Sequence, residues 1–175
     1  MSDPTPNAAR KLIVLCDGTF NDPDDDTNVF RFKNALARPN QLVYYDEGVG
    51  VTEEGDRKGW FGRAIDSLAG GAFGSGLSGN VQQAYRWICE NYLDGDELYF
   101  VGFSRGAYTA RSVVGMIRKI GLVRAPLDRR TLRSAFGQYR SEHHPNCPVL
   151  QTFRTKLNTR PVEEVHLRFI GVWDT

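Results

Sequence analysis

The run from Gly102 to Ala110 reads Gly-Phe-Ser-Arg-Gly-Ala-Tyr-Thr-Ala and carries the clearest chemistry in the chain. Its Gly-x-Ser-x-Gly spacing is that of a nucleophile elbow, a sharp strand-to-helix turn that exposes a serine. Gly102 and Gly106 have no Cβ, so strand and helix can close tightly around a strained Ser104. Ser104 Oγ would then stand at the C-terminal edge of a sheet. The Arg105 N–H, at a helix N-terminus, would face developing negative charge there. A bare five-residue pattern is weak in a chain with 18 glycines. Its context decides.

That context is favourable. Glu97 to Val101 is a short apolar and aromatic run that predicts a buried strand. After the motif, Ala107, Ala110, Val113, Val114, Ile117 and Ile120 recur at helical spacing, closing near Gly121. Upstream, Lys11 to Cys16 is a continuous apolar run, the signature of a strand covered on both faces. Gln41 to Tyr45 predicts a second strand, and a short helix from Asp26 or Thr27 to before Pro39 lies between them. Leu77, Val81, Ala84, Tyr85 and Ile88 predict an amphipathic helix. Val165 to Trp173 reads as a last buried strand. The order describes an α/β domain with a mostly parallel sheet and helices on both faces.

Active groups in such sheets collect at strand C-termini. That edge should carry Asp17-Gly18-Thr19, Asp46-Glu47-Gly48, Ser104 and Asp174. A serine hydroxyl needs a base, and the base needs an orienting carboxylate, in the chain order Ser, acid, His. Asp174 fits the acid. One oxyanion donor should be the Arg105 N–H, and the second should come from Gly18 or Thr19 after the first strand. The histidines are His143, His144 and His166. The first two precede Asp174, His166 lies inside a strand, and none follows Asp174. No complete triad is visible.

Bulk properties set the remaining limits. Residues 1–10 read as a disordered N-terminus and 11–175 as one α/β-hydrolase-like domain, with 122–160 an insertion or lid over the site. Net charge is +1, which gives no reason to expect nucleic acid. Arg124, Arg129, Arg130 and Arg133 read as a solvated helix face. Cys16, Cys89 and Cys147 suggest neither a disulfide framework nor a zinc site, and no metal or cofactor is expected. The acidic stretch Asn21 to Asn28 lacks EF-hand spacing and reads as a solvated loop ending in an N-cap. Gly74-Ser75-Gly76-Leu77-Ser78-Gly79 matches a dinucleotide fingerprint in form only. No strand immediately precedes it, so a flexible entry to the next helix is expected. Leu122 to Arg160 is weakly patterned, part helix around Leu132, Phe136 and Tyr139, with Pro145 and Pro148 as breakers beyond that helix. No signal-peptide core or membrane span is present, so a cytoplasmic site is expected, with export lacking a cleavable signal as the alternative.

Four motifs together carry a resemblance. They are Leu15-Cys16-Asp17-Gly18-Thr19-Phe20-Asn21, Tyr45-Asp46-Glu47-Gly48-Val49-Gly50, Gly102 to Arg111, and Gly171-Val172-Trp173-Asp174-Thr175. In this order, over about Lys11 to Thr175, they resemble a bacterial uncharacterised α/β-hydrolase domain family. It includes the first family of type VI secretion lipase effectors. The resemblance implies a serine esterase of phospholipase type, with Ser104 as nucleophile and Asp174 as triad acid. A small-molecule or phospholipid ester is the expected substrate, and transient contact with a membrane surface is expected with the latter. It also implies a catalytic histidine and final strands further downstream, so the C-terminal strands are expected to be missing here. A fragment, a degenerate relative and one half of an assembly each fit. A fragment fits best, completed by a C-terminal segment or a partner chain, because an open apolar sheet edge is an aggregation hazard. The competing reading is a non-catalytic binding or regulatory module that keeps the core without its base.

Overall fold

Lys11–Cys16 forms β1, and five of its six residues are buried, as a strand covered on both faces requires. The computed structural model describes residues 9–18, 27–36, 39–47, 74–124 and 127–173. Within them α1 is Asn28–Ala35, β2 Gln41–Asp46, α2 Gly74–Asn91, β3 Glu97–Phe103 and α3 Arg105–Ile120. There follow β4 Leu122–Val123, α4 Arg129–Arg140, α5 Pro148–Lys156, β5 Thr159–Arg160 and β6 His166–Trp173. The main sheet has the order β2-β1-β3-β6 with every pairing parallel, and β4 and β5 form a small antiparallel pair.

Alternation along the strands divides the core into two layers. Leu12, Val14, Leu98 and Phe100 face one side with Tyr85, Ile88, Val113, Met116 and Ile120 of α2 and α3. Ile13, Leu15 and Val101 face the other, packed with Val29 of α1. Helices therefore cover both faces of an α/β sheet, as expected. Tyr85 ties the first layer to the chain beyond α3. Its buried hydroxyl donates to the Gly121 carbonyl at 2.8 Å and accepts from the Val123 N–H at 3.3 Å. Tyr85→Phe should cost about 1–3 kcal/mol in urea unfolding, because it leaves two buried backbone groups without that partner. An unchanged midpoint would show that these groups find other partners.

Three local expectations are corrected. Gly74 to Gly79 is no loop but the opening of α2. Pro148, expected to break structure, is the first residue of α5, where its fixed φ suits a helix and its missing N–H costs no intrahelical bond. The last strand is not buried: β6 lies at the edge of the described sheet, with Leu167, Phe169, Ile170 and Trp173 each 40–49% exposed. Its apolar residues lie on both faces of a strand that pairs with β3 on one side.

The Thr27 hydroxyl accepts from the Phe30 N–H and caps α1, matching the N-cap expected there. In the 122–160 stretch, Leu132, Ala135 and Leu150 enter the first core layer. It meets α3 in that helix's second half. The Tyr139 ring lies at Gly115, and Lys119 Nζ donates to the carbonyls of Tyr139 and Ser141.

Candidate active site

The sheet order itself marks a position. The chain leaves β1 for β2 on one side, whereas β3 continues to β6 on the other. The crevice at the C-terminal ends of β1 and β3 is therefore the switch point where ligands bind open α/β sheets. Asp17 and Gly18 stand on one side of that crevice and Ser104 on the other.

Ser104 has φ 52° and ψ −119°. A positive φ is uncommon outside glycine, and this ψ falls outside the small left-handed helical well, so the backbone stores about 1–3 kcal/mol of strain. Surrounding contacts hold it there. The Ser104 N–H donates to the Trp173 carbonyl at 3.0 Å, and the N–H groups of Ala107 and Tyr108 return to the Ser104 carbonyl at 3.0 and 3.3 Å. Serine in the N-cap position ordinarily caps its helix through Oγ. Here the position is kept and the side-chain cap is absent.

The two glycines have separate steric reasons. A Cβ on Gly102 would lie 2.6 Å from the Gly106 carbonyl oxygen and 2.7 Å from Ala107 Cα. A Cβ on Gly106 would lie 2.0 Å from the Cys16 oxygen and 2.6 Å from that of Asp17. Gly102 thus lets β3 meet α3, and Gly106 lets α3 meet the end of β1. Arg105 begins α3, where the first N–H groups of a helix lack intrahelical acceptors. Its guanidinium is partly buried, and desolvation lowers its pKa to about 10, still cationic at neutral pH.

Across the crevice, Asp17 is 2% exposed. Its Oδ1 accepts from the Gly18 N–H at 2.8 Å, and Oδ2 accepts from the hydroxyls of Thr27 at 2.5 Å and Tyr45 at 3.0 Å. Burial, followed by the neighbouring Asp17 carboxylate, pushes the Tyr45 hydroxyl well up from its ordinary pKa. Lys33 Nζ lies 3.9 Å from the centroid of the same ring. Gly18 could serve an oxyanion only by giving up its bond to Asp17. Sequence reasoning placed Asp17 at this edge but gave its side chain no role. A carboxylate directly after the apolar run Leu12 to Cys16 was the available signal.

Thr19 and Asp174 lie outside the described residues. None of the three histidines is beside Ser104. His166 opens β6 opposite Glu97, at the far end of the sheet from Phe103 and Trp173. His143 and His144 are exposed and follow Ser141, which meets Lys119 at the other end of α3. Buried Cys16 is an inert thiol, its pKa raised chiefly by desolvation. Among the described residues no cluster of His, Cys, Asp and Glu could hold a metal ion, and no helix is long and apolar enough to cross a membrane.

The family model described as T6SS phospholipase effector Tle1-like, catalytic domain, matches residues 10–175. The chain is also similar to the uncharacterized protein YEL023C of Saccharomyces cerevisiae, 30% identical over 192 aligned residues. That alignment takes in 97% of this chain and 27% of the yeast protein, so the chain spans about a quarter of its relative's length. No solved structure gives a significant match.

Proposed function

The chain belongs to the family of type VI secretion phospholipase effector Tle1-like catalytic domains, and on that premise we propose that it cleaves phospholipid esters through Ser104. Ser104 Oγ adds to the ester carbonyl while its proton passes to a base. The carbonyl oxygen becomes an oxyanion facing the Arg105 N–H. Collapse breaks the bond to the leaving alcohol, which takes the proton, and leaves an acyl-serine that water hydrolyses. Asp174 would orient the base. With all three histidines away from Ser104, the base is proposed to come from a further segment of the protein or a partner chain.

One observation carries this reading: the strained, non-capping Ser104 between two sterically required glycines. A plain helix start needs neither the strain nor the lost cap. The same histidine positions support a second reading, a non-catalytic module that retains the fold and binds a partner or membrane surface.

A fluorophosphonate probe followed by mass spectrometry separates the two. The expected result is one adduct on Ser104, absent from Ser104→Ala. Failure to label, even when the chain carries a longer C-terminal segment, would reject the hydrolase and leave the binding module.

A further inference from the structure

We propose that Asp17 is a positioning residue for the oxyanion side of the site, an inference that rests on the hydrolase reading of Ser104. A buried carboxylate is unfavourable unless hydrogen bonds replace its lost hydration. Among the described residues Asp17 obtains them from three separate places: its own turn through Gly18, the cap of α1 through Thr27, and β2 through Tyr45. An ionised carboxylate only accepts, so it suits three donors at once, and an amide of the same shape would turn an N–H group towards at least one of them.

These bonds act where the site is assembled. The backbone oxygens of Cys16 and Asp17 form the wall against which Gly106 is seated, two residues along the chain from Ser104. The Asp17 N–H also donates to the Asp46 carbonyl at 2.8 Å, fastening the turn to β2. The turn after β1 is thereby fixed to β2, to α1 and to the first turn of α3. Asp17 touches no reacting atom. It fixes the wall on which the first turn of α3, and with it the Arg105 N–H, is seated.

The test compares wild type, Asp17→Asn and Tyr45→Phe, each with the longer C-terminal segment attached. The readouts are the rate of fluorophosphonate addition, and kcat and KM on a short-chain ester. Misdirecting a donor by an ångström or less should lower the phosphonylation rate and kcat of Asp17→Asn by about 10- to 100-fold. KM should stay within about twofold, since the ground-state ester does not use the donor. Tyr45→Phe, which removes one donor and leaves the carboxylate in place, should fall in the same direction by less. A merely structural role predicts losses that follow the folded fraction, with kcat per folded molecule unchanged. A folded Asp17→Asn that reacts at the wild-type rate would overturn the inference alone. If Asp17→Asn does not fold, Tyr45→Phe decides: a reduced rate supports the inference and a wild-type rate overturns it. A wild type that takes no adduct would overturn the hydrolase reading, and this inference with it.

Discussion

Gly106→Ala should destabilise the protein by about 3–5 kcal/mol, a large share of the roughly 5–15 kcal/mol that holds a domain of this size. The added methyl would sit 2.0 Å from the Cys16 carbonyl oxygen and 2.4 Å from its carbon. Both are backbone atoms of the most buried strand, so no rotamer change relieves the overlap. Either β1 or α3 must shift, and each is anchored in both core layers or in the elbow itself. Gly79 in α2 and Gly137 in α4 are suitable controls, since a methyl at either would have nothing within 4 Å. Alanine at either should stabilise by about 0.5–1 kcal/mol, the ordinary helical preference over glycine. Urea midpoints at constant m-value measure all three. If Gly106→Ala unfolds at the wild-type midpoint, the close packing of α3 on β1 is wrong.

Ser104→Gly should separate stability from activity. Strain of about 1–3 kcal/mol is released when a residue without Cβ takes φ 52° and ψ −119°. Part of that gain is offset by the greater freedom of glycine in the unfolded chain, about 0.5–1 kcal/mol. A net gain near 1 kcal/mol is expected, together with complete loss of fluorophosphonate labelling. Turnover should fall by several orders of magnitude, as it does when a serine nucleophile is removed from an intact site. Ser104→Ala supplies the contrast: it keeps the strained backbone, so it should lose labelling without gaining stability. A Ser104→Gly variant less stable than wild type would mean that the backbone at this turn is unstrained.

The elbow was legible because its requirements are local. An apolar run, two glycines around a serine and a helical pattern all lie within one stretch, and each residue type answers a steric need. The central strands were legible for a similar reason, since β1 and β3 are apolar on both faces. What escaped was decided elsewhere in the fold. Pro148 and the glycines from Gly74 to Gly79 look like breakers until a helix is known to begin with them. The composition of β6 is that of an interior strand, and its own residues do not show that it pairs on one side only in the described sheet. Asp17 is one more acidic residue in sequence, because Thr27 and Tyr45 reach it from separate elements. The histidines show the opposite case. Their chain order already argued against each of them, and the fold sets all three away from Ser104.

The contacts that impose strain on Ser104 also fix when that geometry can form. Residue 11 of β1 pairs with residue 97 of β3, and the Ser104 N–H is held by the carbonyl of Trp173. Pairings so distant along the chain close slowly during folding. Until they close, nothing opposes relaxation of residue 104 into an ordinary backbone well. The strained geometry is therefore one of the last properties the polypeptide acquires. A chain emerging during synthesis carries an ordinary, unstrained serine at position 104 until the sheet is complete.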